Sequence, residues 1–190
     1  DDERVRTALS SLTAPDGRFQ TVQSATGILG VVDYAHTPDA LAAVLGAARE
    51  VLDGQVDAHA AAPGRLLVVF GCGGDRDVGK RPLMGQMADE AADVVVVTSD
   101  NPRGEPPEGV IADILAGMER PDPLVEPDRR RAIAVALAAA SPADLIVVAG
   151  RGHETIQEVA GRQLPFDDRA VVGEEWTRLM NSASGPGVDR

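Results

Sequence analysis

Three short segments of this 190-residue chain concentrate the side chains that do chemistry. They are Gly71-Cys72-Gly73-Gly74-Asp75-Arg76-Asp77, Asp100-Asn101-Pro102-Arg103 and Gly150-Arg151-Gly152-His153-Glu154. Glycines let backbone approach a ligand closely. The guanidiniums of Arg76 and Arg103 suit carboxylates, which they grip through paired hydrogen bonds. The carboxylates of Asp100 and Glu154 suit an ammonium group. Taken singly, each segment reads as a turn with surface ion pairs. Brought together, they offer both signs of charge and suit a zwitterion such as an amino acid.

Two other kinds of chemistry are weaker. Gly74-Asp75-Arg76-Asp77-Val78-Gly79-Lys80 has the spacing of a phosphate-binding P-loop. Arg81 stands where that loop needs a magnesium-ligating hydroxyl, and Asp75 and Asp77 repel phosphate. His36, His59 and His153 show no metal-ligand spacing with one another or with Cys72, so no metal site is expected. Cys72 has no neighbours that would activate a thiolate and reads as a small buried residue. The basic run Arg129-Arg130-Arg131 reads as a solvated helix face.

The elements that must position these segments follow from hydrophobic pattern. Leu66–Phe70, Val94–Val97 and Leu145–Val148 are continuous apolar runs of strand length. Such runs are buried on both faces, which means parallel strands. Each runs directly into one of the three polar segments. Helices are expected between them, over about 80–92, 107–118 and 128–140, with one more short strand at Leu124–Glu126. Upstream, 19–23 and 27–34 should pair as a hairpin across Ser24–Gly27. Thr37, Pro38 and Asp39 then start a helix whose apolar stripe is Leu41, Val44, Leu45, Ala48 and Leu52. Residues 53–63 read as a loop. Downstream, Thr155–Val159 and Gln163–Pro165 read as a hairpin turning at Ala160–Gly161. A last helix follows Asp167–Asp168, with Val172, Trp176, Leu179 and Met180 facing in, and the tail from Ser182 is expected to fray. The alternation predicts an α/β domain, a doubly wound, Rossmann-like and mostly parallel sheet with helices on both faces. Ligands of such sheets bind beyond the C-terminal ends of the strands, where all three segments lie.

Composition supports one domain, residues 1–190. Hydrophobic residues make up 44% and aromatics 3%, so the core must be aliphatic. Eighteen basic against thirty acidic residues leave a net charge of −12, which argues against nucleic acid or an anionic membrane as partner. That charge fits a solvated acidic surface or a salty cytoplasm. One cysteine fits a reducing compartment and a cytoplasmic location, and no run is long enough to span a membrane.

Val32-Asp33-Tyr34-Ala35-His36-Thr37-Pro38-Asp39, the Gly71–Asp77 segment with Lys80-Arg81-Pro82-Leu83-Met84, Asp100-Asn101-Pro102-Arg103 and Gly152-His153-Glu154 occur in one order. That ordered set, spanning roughly residues 17–181, resembles the C-terminal domain of the Mur ligases, in the form that adds the third amino acid of the peptidoglycan precursor. The resemblance implies an ATP-dependent amide ligase of cell-wall synthesis. Its substrates would be ATP, UDP-N-acetylmuramoyl-L-alanyl-D-glutamate and meso-diaminopimelate. It implies an N-terminal UDP-binding domain and a central ATPase domain as partners, with Mg2+ held in the central one. Neither domain is present in this chain, so the domain alone is expected to be inactive. The resemblance further implies that Arg18, Asp33, Tyr34 and His36 meet ATP, and that Arg76, Asp100, Asn101, Pro102, Arg103, Gly150 and Glu154 meet diaminopimelate. Arg151 departs from the family pattern, which more often has lysine there. A lysine-adding ligase is one alternative, against which Arg103 argues. A non-catalytic amino-acid-binding module is another, and a folylpolyglutamate-type ligase a third.

Overall fold

The computed structural model describes residues 16–23, 28–54, 63–120 and 123–183. A six-stranded sheet carries the domain: β1 (Gln20–Gln23), β2 (Leu29–Asp33), β3 (Leu66–Phe70), β4 (Val94–Val97), β5 (Leu124–Val125) and β6 (Leu145–Ala149). Its spatial order is β1-β2-β6-β3-β4-β5. Only β1 runs antiparallel, paired with β2. The other four ladders are parallel. This is the expected doubly wound architecture. The turn expected at Ser24–Gly27, most of the loop after residue 54 and the tail beyond Ala183 lie outside the described residues.

Strand periodicity divides the core in two. Val31, Val68, Phe70, Val95 and Val147 point to one face, where α1 (Pro38–Gly54), α2 (Lys80–Ala91) and α3 (Pro107–Leu115) pack. Val32, Leu67, Val69, Val96 and Val148 point to the other, covered by α4 (Arg129–Ala139) and α5 (Asp168–Ala183). β3 and β6 are buried along their whole length, as an interior parallel strand requires.

Local signals set the helix ends. Thr37 Oγ1 accepts from Ala40 N at 3.3 Å at the start of α1. Asp128 accepts from Arg131 N at 3.0 Å and caps α4. α3 stops at Leu115, three residues short of its expected end. Gly117 meets the preceding helix α2 there: a Cβ on it would sit 1.8 Å from the Pro82 carbonyl oxygen. In α5 Val172 and Trp176 are buried and Leu179 packs against them, but Met180 is exposed. A separate hairpin, β7 (Ile156–Val159) and β8 (Arg162–Pro165), follows β6. No helix among the described residues is long and apolar enough to cross a membrane.

Candidate functional site

The loops that leave β2, β3, β4 and β6 converge at the C-terminal edge of the sheet. They enclose a cavity of about 540 Å³. Of the residues expected to meet an amino acid, Arg76, Asp100, Asn101, Arg103, Gly150 and Glu154 line it. Tyr34 and His36, expected on the nucleotide side, line it as well. Pro102 does not; it faces a second cavity behind the loop. Arg18 and Asp33 are not among the lining residues either.

Backbone contacts lock the loops to one another. Gly74 N donates to Asn101 O at 2.9 Å, and Arg103 Nη1 donates to Gly74 O at 2.8 Å. A side chain at Gly74 would put its Cβ 2.0 Å from the Pro102 carbonyl oxygen, so only glycine permits this approach. Gly150 has φ +116°, and a Cβ there would fall 2.6 Å from Asp100 Oδ2. Arg103 adopts φ +52°, a costly conformation for a residue with a side chain. Hydrogen bonds hold it there: its N–H donates to Glu158 O at 3.1 Å, and Ala160 N donates to its carbonyl at 2.8 Å. The hairpin β7–β8 therefore buttresses the wall of the cavity.

The charges divide into committed and free groups. Arg76 is exposed and has no hydrogen-bond or ion-pair partner among the described residues. Arg103 spends Nη1 on Gly74 O, and its Nε lies 3.5 Å from Glu158 Oε2. Its Nη2 has no partner among the described residues, so it offers one free edge rather than the whole fork. Asp100 is buried, and burial pushes its carboxyl up from the usual range, an effect that Arg129 and Arg151 oppose. Glu154 is half-buried and accepts from Asn101 Nδ2 at 3.0 Å. Free guanidinium edges and carboxylates thus face one space, which is what a zwitterion needs.

The residues expected on the nucleotide side have a different geometry. Both carboxylate oxygens of Asp33 accept backbone amides, Phe19 N and Ala35 N, each at 2.7 Å. Asp33 thereby ties the Gly17–Phe19 turn, with exposed Arg18, to the end of β2. The Tyr34 ring lies 4.6 Å from that of His36 and 5.4 Å from that of His153, centroid to centroid. Lys80, the lysine of the P-loop-like spacing, donates to His36 O at 2.7 Å and lines the same cavity. Cys72 is buried with its Sγ 3.5 Å from Met84 Sδ, and burial pushes its thiol up to about 12.

Several buried residues escaped the sequence reading. Arg129 is not on a solvated face: its guanidinium is fully buried, pairs with Asp168 at 2.7 Å and donates to Ser99 O and Ala149 O. The signal was present, because residue 129 shares a helical stripe with Ala132, Ile133, Ala136 and Leu137. Arg130 and Arg131 are exposed and fit the solvated reading, Arg130 pairing at the surface with Glu174 and Glu175. Arg81 is buried between Glu105 and Asp113 and also donates to Gly73 O, which anchors the first loop. Arg151 is fully buried, although its neighbours suggested a loop. Among the described residues, no group of three or more His, Cys, Asp or Glu side chains converges as metal ligands would.

The chain is thus a doubly wound α/β domain with a two-signed polar cavity at its strand-end edge. Residues 17–152 match the family model of the Mur ligase, glutamate ligase domain, and the chain belongs to that family. It is 47% identical over 177 residues to the UDP-N-acetylmuramoyl-L-alanyl-D-glutamate--2,6-diaminopimelate ligase of Parabacteroides distasonis, covering 92% of this chain and 35% of that protein. It is 50% identical over 161 residues to the ligase of the same name from Chromobacterium violaceum, covering 85% and 31%. A solved structure of a ligase of that name superposes with TM-score 0.76 at 40% identity, over 95% of this chain and 35% of the other. A bifunctional folylpolyglutamate synthase/dihydrofolate synthase from Yersinia pestis, 20% identical with TM-score 0.57, shares the fold. The chain spans about a third of the length of the curated relatives it matches.

Proposed function

We propose that residues 1–190 form the amino-acid-binding C-terminal domain of an ATP-dependent ligase that adds meso-diaminopimelate to UDP-N-acetylmuramoyl-L-alanyl-D-glutamate. The observation that carries this reading is that Arg76 and Arg103 line one cavity together with Asp100 and Glu154. The names of the relatives, and the third of their length that this chain matches, support it. UDP-binding and ATPase domains would then lie in the rest of the parent protein.

The reaction joins an amine to an acyl phosphate: the C–N bond forms, the C–O bond to phosphate breaks, and the amine gives up a proton. The residues of this domain act by positioning. Glu154 and Asp100 hold one ammonium, and Arg76 and the free edge of Arg103 hold carboxylate. Gripping one amino-acid end of diaminopimelate leaves the amine of the other end free to attack. Lysine lacks the second carboxylate and would leave a guanidinium unpaired, which is how such a site rejects it. Arg18, Asp33, Tyr34 and His36 form the side of the domain turned to the nucleotide. Mg2+ would be held by the central domain of the parent protein; among the described residues here no group of three or more His, Cys, Asp or Glu side chains converges as metal ligands would. The same reading places the enzyme in the cytoplasm, where its single buried thiol stays reduced.

Steady-state kinetics on the full-length ligase test it. Because only Nη2 of Arg103 is free, Arg103→Ala removes about 1.5–2 kcal/mol of charge-assisted hydrogen bonding. That raises KM for meso-diaminopimelate about 10- to 30-fold. KM for ATP should not change. An Arg103→Ala enzyme that keeps the wild-type preference for diaminopimelate over lysine would sink the assignment.

A further inference from the structure

Arg151 lies behind the cavity wall rather than in it, with no exposed surface. Its Nη1 donates to Asn101 Oδ1 at 2.8 Å. Its Nη2 donates to Ile156 O at 2.8 Å and Phe166 O at 3.2 Å. The guanidinium carbon stands 5.5 Å from the centre of the Phe166 ring. One side chain thus binds the loop after β4 to the open end of the β7–β8 hairpin, where its two strands begin and finish.

What Asn101 does with its other atoms makes this more than packing. Asn101 Oδ1 accepts a second hydrogen bond, from Glu158 N at 2.8 Å. With two donors facing one atom of the amide, that atom must be the oxygen. The Nδ2 group is then forced to the opposite side, where it donates to Glu154 Oε2 at 3.0 Å. Arg151 Nη1 also lies 3.8 Å from that carboxylate oxygen, and draws it toward the wall.

We infer that Arg151 is the positioning residue of the amine-binding carboxylate: through the Asn101 amide it fixes where Glu154 stands in the cavity. The inference rests on the reading of Glu154 as an amino-acid contact. Without the guanidinium, Glu158 N alone orients the amide, and Glu154 loses both its fixed donor and the nearby positive charge. A lysine at this position can still donate to Asn101 Oδ1 from a compact ammonium, but it cannot also span to Ile156 O and Phe166 O.

A double-mutant cycle on the full-length ligase, with meso-diaminopimelate as the probe, tests this. Glu154→Gln, Arg151→Met and the double variant are compared for KM, kcat and KM for ATP. The expected result is a rise in diaminopimelate KM of about 10-fold for each single variant. kcat and the ATP KM should stay near wild type, and the double variant should be no worse than Glu154→Gln alone. Arg151→Lys should recover most of the loss. If Glu154→Gln raises KM and Arg151→Met does not, or if their effects multiply, the positioning role is overturned while the site stands. If Glu154→Gln leaves KM unchanged, the reading of the site itself fails. If Arg151→Met does not fold, Arg151→Gln, which keeps one amide donor without the charge, is measured in its place against the same criteria.

Discussion

Asp168→Ala should be the most destabilising single change among the charged residues of this domain. Asp168 and Arg129 have no exposed side-chain surface, and they share two hydrogen bonds, 2.8 and 2.7 Å. Burial disfavours the charged guanidinium, yet Asp168 beside it holds Arg129 above its ordinary range. Removing the carboxylate leaves the carbonyls of Ser99 and Ala149 as the guanidinium's hydrogen-bond partners, with Asp100 and Glu154 attracting the charge from farther off. Breaking a buried pair from one side costs about 3–5 kcal/mol. That is a large share of the roughly 5–15 kcal/mol that holds a domain together. With a urea slope of about 2 kcal/mol/M, the unfolding midpoint should fall by about 1.5–2.5 M. The assay is urea unfolding of the 190-residue domain followed by far-UV circular dichroism. The double change Arg129→Met/Asp168→Leu should recover most of the loss, because apolar isosteres need no counter-charge. A fall smaller than about 1 kcal/mol for Asp168→Ala would refute the claim that this pair sits in a dry interior, since that is the range of exposed pairs.

Asp100→Asn should stabilise the isolated domain at neutral pH while weakening diaminopimelate binding. Burial raises the Asp100 carboxyl above its unfolded value, so its favourable share is complete below pH about 4 and is lost as pH rises through the folded value. The stabilising effect should therefore vanish in acid, and thermal melts at pH 4 and pH 7 check it; equal gains at both would contradict the burial argument. Cys72, with its thiol pushed up to about 12, should resist a thiol reagent at pH 8 in the native domain and react at an ordinary rate in urea. Rapid native labelling would show that the first loop opens.

Much of the architecture was legible because buried parallel strands announce themselves. The runs at Leu66, Val94 and Leu145 are apolar without alternation, and each ends in glycine or polar residues where the sheet ends. The site was legible in outline for the same reason: the rule for where ligands bind turned three distant segments into one place. The division of labour inside it was not. Free Arg76 and half-committed Arg103 are the same residue type in similar loops. What separates them is the Gly74 carbonyl, which meets Arg103 only once the chain folds. Arg151 was similarly opaque, since its role depends on Phe166 and Asn101, which lie 15 and 50 residues away. Asp33 reads from the residues alone as a strand-end turn residue, and only the family resemblance puts it beside ATP; its bonds to the Phe19 and Ala35 amides became visible only in the fold.

The sheet order also dictates how the chain must assemble. β6 lies between β2 and β3, yet it is the last of the six strands to be synthesised. Until residue 149 has left the ribosome, β2 and β3 each present an unpaired parallel edge, and the centre of the sheet is a gap rather than a core. From the end of β3 at residue 70 until β6 is made, the nascent chain therefore carries two unpaired strand edges, the condition under which intermediates aggregate. The acidic surface is then useful before the domain is folded at all. With 23 acidic against 13 basic residues in the first 149, unfinished chains already repel one another while they wait for the strand that closes the sheet.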